Sequence, residues 1–346
     1  MSTHLRGGGF AVLSALAFGV TTPLIQRFGS GVGPAPTATL LYAGAAIAAG
    51  IPFRSDTSGR EAHVQPRHLR RIFVGAMFGA LAAPMCLAWG LQHTSGASAS
   101  LLLNVEAVFM VLFARLFFRE PIGFRIWVAV ALMIGGGASL VLGSSRDGSF
   151  GWGAFAIVCA TLGWALDSTI SRPLADLNPS EVVRLKGALG ALLGGIVCLS
   201  LGDTFPPPAR MGWLLACGAT GYGLSLRFYL LAQRHIGAAR TASMFALAPF
   251  VGATTACAMG DRSANGSTLV AGVLFAVGVY LQFTERHAHS HHHNAVEHEH
   301  VHRHDDGHHE HDSPTVADHC HVHVHDARIH DHRHAPDLHH DHDHGD

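Results

Sequence analysis

The chain has 346 residues, 49% hydrophobic and only 14% charged, against about 25% charged in an ordinary soluble domain. Its formal net charge of −1 is a cancellation: residues 1–286 carry 20 Lys and Arg against 11 Asp and Glu, while residues 287–346 carry three arginines against 13 acids. These figures exclude an ordinary soluble enzyme and a basic nucleic-acid binder, and leave an integral membrane protein with a polar tail.

A helix crossing ~30 Å of hydrocarbon needs ~20 mostly apolar residues. Such runs fall at 8–27, 36–53, 71–90, 97–117, 124–143, 151–170, 181–201, 210–231, 238–259 and 268–284, which predicts ten spans. The run at 181–201 contains Arg184 and Lys186 and reads as a span that starts in a cytosolic stub. The first run is longer than the core of a signal peptide and nine more follow it, so it reads as a span. Forty glycines suit close helix packing in lipid, where small residues let backbones approach. Five of the six cysteines fall in predicted spans as small hydrophobes, and no disulfide framework is readable.

Basic residues accumulate in cytoplasmic loops. With the N-terminus inside, inner segments hold 16 of the Arg and Lys residues before the tail and outer loops hold four, namely Arg27, Arg146, Arg210 and Arg262. Ten spans then place both termini in the cytoplasm of an inner (plasma) membrane. The sequence also repeats. Gly96-Ala97-Ser98-Ala99-Ser100 opens a span that ends before Arg119-Glu120-Pro121 and a Gly-rich run; 141 residues later Gly237-Ala238-Ala239-Arg240-Thr241 opens another, ending before Gly260-Asp261-Arg262 and a second Gly-rich run. Phe109 and Phe250 share the offset. Five spans per copy force the second copy to enter upside down, and inverted repeats of this kind place a transport site at the midplane between halves. The predicted architecture is an all-α integral membrane fold of two inverted five-helix repeats, residues 1–146 and 147–286. A disordered His/Asp-rich cytoplasmic tail, 287–346, follows.

The segment from Ala97 through Asn104-Val105-Glu106-Ala107-Val108-Phe109 to Arg119-Glu120-Pro121 resembles the fourth-helix signature of the EamA group in the drug/metabolite transporter superfamily. The stretch Leu247-Ala248-Pro249-Phe250 through Gly260-Asp261 is similar, and keeps a proline where the first copy has Ala107. The resemblance covers residues 7–284 and implies a ten-helix carrier, in most cases an exporter of amino acids, metabolites or drugs, often driven by a proton gradient. The tail lies outside it.

Charge inside hydrocarbon costs about 2.5–3.5 kcal/mol on insertion scales, so each instance asks for a reason. Glu106 falls mid-span with Asn104 two residues before it; Asp167 lies near Trp164; Arg227 is followed by Phe228 and Tyr229. Glu106, Asn104, Asp167, Arg227, Trp164 and Tyr229 are therefore the candidate substrate or proton path, with Arg227 free to pair with either carboxylate. The competing reading is a structural ion pair or snorkelling end residues. Trp89, Gln92 and His93 read as interfacial anchors, and Glu120 and Asp261 as solvated turn carboxylates.

The tail holds 23 of the 28 histidines, many in alternation. His298, His300, His302, His304, His319, Cys320, His321, His323, His325, His330, His332, His334, His342 and His344 are candidate ligands for Zn²⁺, Ni²⁺, Co²⁺ or Cu²⁺. The competing reading is a pH-responsive polyelectrolyte. Three functions follow: an exporter of metal-linked cargo (a divalent transition metal or a metal-binding small molecule), an organic-solute exporter with a regulatory or storage tail, or a non-transport metal buffer or sensor. Neither a tightly bound cofactor nor a catalytic constellation is expected, so enzyme activity is not. The partners are cargo and the bilayer, with association of two copies left open.

Overall fold

The computed structural model describes residues 3–51, 62–120, 122–143, 151–174, 177–236 and 238–284, together with the backbone of four short segments beyond them. The first half contains α1 (Thr3–Gly29), α2 (Pro34–Gly50), α3 (Pro66–Ala76) continued through a wide π-type turn at Met77–Ala82 into α4 (Ala83–His93), α5 (Gly96–Leu102), α6 (Val105–Phe118) and α7 (Phe124–Gly143). The second contains α8 (Trp152–Ser171), α9 (Pro179–Leu201), α10 (Pro208–Cys217) continued through a second wide turn at Gly218–Leu224 into α11 (Ser225–Ile236), α12 (Ala238–Phe245), α13 (Ala248–Ala258) and α14 (Gly266–Thr284).

The halves correspond element by element. Proline, whose missing N–H costs nothing at the first helical position, opens α2 and α9 (Pro34, Pro179) and α3 and α10 (Pro66, Pro208). Both third rods contain the wide turn, at 77–82 and 218–224. In the first, Pro84 cannot donate and its ring presses on the carbonyl one turn back; the Ala83 N–H reaches instead to the Phe78 carbonyl five residues earlier. In the second, the run Gly218-Ala219-Thr220-Gly221-Tyr222-Gly223 supplies little side-chain bulk to hold a regular α-turn. Packing has the same symmetry. Helix α2 lies against α9 and α7 against α14, while α1 touches α11 and α13 as α8 touches α4 and α6.

Eight helical stretches among the described residues are long and apolar enough to cross a bilayer. Two of the ten predicted spans fall short. The run at 36–53 forms α2, which has 17 residues. The run at 238–259 breaks at Ala246–Leu247 into α12 and α13, because Pro249 has no N–H to carry the ladder and Leu247 bonds back only three residues, to Met244. The run at 97–117 is broken at the equivalent place. Leu103 and Asn104 bond back to Ser100 and Leu101, and the Asn104 amide donates to the Leu101 carbonyl at 3.0 Å.

Large apolar side chains point outward. Phe124 is 81% exposed, Leu199 78% and Leu269 72%. The buried core by contrast rests on small residues and interlocking pairs, such as Phe275 against Gly136 and Met133 against Gly278, which hold α7 to α14. This distribution suits lipid as the outer solvent.

Where the sequence suggests a disordered tail, four stretches are extended and paired antiparallel: β1 (His287–His293) with β4 (Arg328–His334), and β2 (Val296–His302) with β3 (His319–His325). The His-x-His alternation has the period of a strand. A two-stranded ribbon without a third strand is marginal in water.

Candidate transport site

The wide turn at 218–224 lies against α1 and α2, and the one at 77–82 against α8, α9 and α2. A π-type turn leaves a carbonyl available to side chains, and that of Gly79 is used twice. It accepts the Tyr42 hydroxyl from α2 and, at 3.0 Å, Nε1 of Trp164 from α8. Tyr222, inside the opposite wide turn, is the hub of the rings. Its centroid lies 5.5 Å from Tyr42, 5.9 Å from Phe18 on α1 and 6.2 Å from Trp164. Phe245, the last residue of α12 before its break, lies 5.4 Å from Phe18 and 5.2 Å from Tyr229. Six aromatic side chains from both halves thus form one connected cluster.

Glu106 sits in the first turn of α6, just past the break. It is within electrostatic reach of Asp167, Tyr42, Tyr222 and Tyr229. The predicted residues Glu106, Asp167, Trp164 and Tyr229 are thereby brought into one region. Asn104 is buried there, with its amide bonded to its own helix end.

Arg227 lies on α11. Only 8% exposed, it donates from Nη1 to the Ile51 carbonyl at 3.0 Å, at the far end of α2. The partner of Asp167 is instead Lys186, which the sequence placed in a cytosolic stub. Lys186 Nζ lies 2.6 Å from Asp167 Oδ1 and 2.7 Å from Ser171 Oγ. The other charged residues at span ends are engaged as well. Glu120 pairs with Arg172 at 3.0 Å, and the Arg172 guanidinium lies 4.2 Å from the centre of the Phe118 ring. Asp261 accepts the backbone N–H of Ala97 at 3.0 Å and so caps α5 from the opposite half. Burial raises its carboxyl, but bonds from Ser263, Ala97 and Gly96 outweigh that and hold it below the usual range. Trp89 and His93 stack at 4.2 Å, and Gln92 donates to the Val32 carbonyl at 2.9 Å, fastening the end of α4 to the turn after α1.

Sequence reasoning missed Tyr42, Tyr222, Phe18, Phe245 and Lys186. The available signal was Gly221-Tyr222-Gly223, an aromatic between two glycines in the middle of a span. Among the described residues no three His, Cys, Asp or Glu side chains lie close enough to hold a metal ion. The tail's proposed ligands lie outside the residues whose side chains are described, and His304, His342 and His344 outside the described residues altogether.

The EamA-like transporter family matches residues 5–142 and again 151–284, once per half. The chain belongs to the EamA-like transporter family. It is a multi-pass membrane transporter. Among similar proteins, an uncharacterized transporter of Methanothermobacter thermautotrophicus is 25% identical over 233 residues, 64% of this chain and 67% of that one. A riboflavin transporter of Rhizobium johnstonii is 29% identical over 228 residues, 63% of this chain and 71% of that one. A crystal structure at 17% identity shares the fold, with a TM-score of 0.59 over 81% of this chain and 94% of its own.

Proposed function

We propose that this transporter carries an organic solute with a planar ring system, seated against Tyr42, Trp164, Tyr222 and their neighbours, with Glu106 as the exchangeable charge of the path. The observation that carries the reading is the six-ring cluster drawn from both halves and anchored on the Gly79 carbonyl. Offset and edge-to-face stacking on a flat solute is favourable there, whereas a bare transition-metal path needs imidazole, thiolate or carboxylate ligands in its place. The similarity to a riboflavin transporter supports a flat heteroaromatic cargo. The arrangement favours the organic-solute reading over metal-linked cargo. We further take the carrier to have ten spans with both termini cytoplasmic, on the 16-to-4 split of basic residues, and to export, as the family resemblance implies.

The test is transport of riboflavin by the full chain in reconstituted vesicles. The expected result is saturable flux, with an apparent KM at least about fivefold higher in Trp164→Ala, the loss of one stacking partner. Glu106→Gln, nearly isosteric but unable to ionise, is expected to insert normally and to lose the dependence of flux on a pH gradient. No saturable flux and no competition by any flavin would sink the planar-solute reading. Unchanged pH dependence in Glu106→Gln would return Glu106 to a structural role.

A second element belongs to the tail, which we read as a store of exchangeable transition-metal sites. The ribbon register supports this: His287, His289 and His291 stand opposite His334, His332 and His330, and His298, His300 and His302 opposite His323, His321 and His319. Alternate positions on facing strands fall on one face of a ribbon by the period of the strand.

A further inference from the structure

Lys186, Asp167 and Ser171 form a small charged cluster inside the helices, with Lys186 and Asp167 only 15% and 18% exposed. Asp167 Oδ1 accepts Lys186 Nζ at 2.6 Å and Ser171 Oγ at 3.0 Å, and Lys186 also reaches Ser171 Oγ at 2.7 Å. The cluster is pressed against the other half: a Cβ on Gly75 or Gly79 would overlap the Asp167 carboxylate.

The repeat shows what this place looks like without charge. Gly221 faces Thr21 as Gly79 faces Asp167, and Gly218 faces the Leu41 backbone where, counted from the opening prolines of α2 and α9, Leu41 corresponds to Lys186. Thr21 donates back to the Ala17 carbonyl of its own helix at 2.6 Å. Close packing is therefore achieved in one half with threonine and leucine. The other half carries a buried ion pair in the same position, an expensive solution that packing alone does not require.

Two carboxylates, Asp167 and Glu106, lie within electrostatic reach of each other in this region, and the lysine is committed to one of them. Facing Asp167 are Lys186 from α9, Ser171 one turn further along α8, the glycines of the third rod and Tyr42 from α2. Facing Glu106 are Asp167, Tyr42, Tyr222 and Tyr229. We propose that Lys186 is a positioning residue of the transport path: by neutralising Asp167 it leaves Glu106, of the two carboxylates, as the one that exchanges a proton. This rests on the role given to Glu106 above. With Lys186 gone, two like charges share a low-dielectric site, and the pair then titrates in two coupled steps.

The experiment counts titrating carboxyl groups by pH-difference infrared spectroscopy of the full chain in lipid vesicles, and needs no cargo. Wild type is expected to show one titrating buried carboxyl, absent from Glu106→Gln. Lys186→Met is expected to show two, Lys186→Arg one, and the double variant Asp167→Thr, Lys186→Leu, which copies the first half, one again. If Lys186→Met does not yield folded protein, Lys186→Gln, which retains a donor for Asp167, carries the same comparison. A single titrating group in the lysine-lacking variant, with Glu106→Gln still abolishing the wild-type signal, overturns this proposal alone. A wild-type signal that survives Glu106→Gln overturns the reading of Glu106 and this proposal with it.

Discussion

Asp261 shows how one side chain can tie the halves together. Its carboxylate accepts N–H groups at the start of α5, donors that the first turn of any helix leaves without a partner. Because those bonds hold its carboxyl below the usual range, its stabilising effect is present above the unfolded value of about 3.9 and fades as pH falls through the lowered folded value. Asp261→Asn is expected to cost about 1 kcal/mol at pH 7, the usual worth of a cap. The difference between the two proteins, read as thermal unfolding midpoints in detergent, should narrow as pH is lowered toward 3. An equal gap at both pH values would show that the charge contributes nothing. The same scale explains why Lys186 was misread. A lysine seven residues past Pro179 reads as a helix end that faces water, and only the fold shows that its amine turns inward to Asp167. Glu106 was legible because a carboxylate in an apolar run stands out wherever the helix points.

At the scale of elements, the rods were legible and their interruptions were not. Apolar run length reports a span. A π-type turn or a three-residue back-bond leaves composition unchanged, so nothing in Leu101–Glu106 marks a break except Asn104, and Pro84 marks the wide turn only as a proline among others. Yet these interruptions assemble the site: the wide turns supply the Gly79 carbonyl and Tyr222, and the breaks place Glu106 and Phe245. The repeat itself was legible from its offset, and it isolates one strained position. The turn that ends α6 puts Arg119 at φ 54°, a left-handed conformation, while the equivalent turn after α13 uses Gly260 at φ 98°. A residue with a Cβ is disfavoured there relative to glycine. Arg119→Gly is therefore expected to raise stability by about 0.5–1 kcal/mol. A thermal scan of the two proteins in the same detergent checks this, and a lowered midpoint would mean that the Arg119 side chain holds more than its backbone costs.

The whole molecule combines an apolar body, stabilised by small residues packed between rods and by outward side chains dissolved in lipid, with a polar tail rich in histidine and acids. Every described helix–helix contact precedes residue 285. Deleting residues 287–346 is therefore expected to leave a carrier with an unchanged unfolding midpoint and unchanged riboflavin flux in metal-free buffer, and a reporter joined at position 286 should be active only on the cytoplasmic side. The deletion is expected to remove metal capacity. The full chain should bind several Ni²⁺ or Zn²⁺ per molecule by calorimetry and the truncated chain close to none. The sign of the pH effect follows from imidazole chemistry: with an unperturbed pKa of ~6.5, protonated histidine cannot ligate, so binding should weaken steeply below about pH 6. On the reading of the tail as a metal store, tethered sites raise local ion concentration without adding a contact to the transport path. Metal added to the full chain is accordingly expected to change flux only if the cargo itself binds metal. Riboflavin flux that stops on truncation in metal-free buffer would show that the tail is part of the transport machinery, and the separation of body from tail would fail.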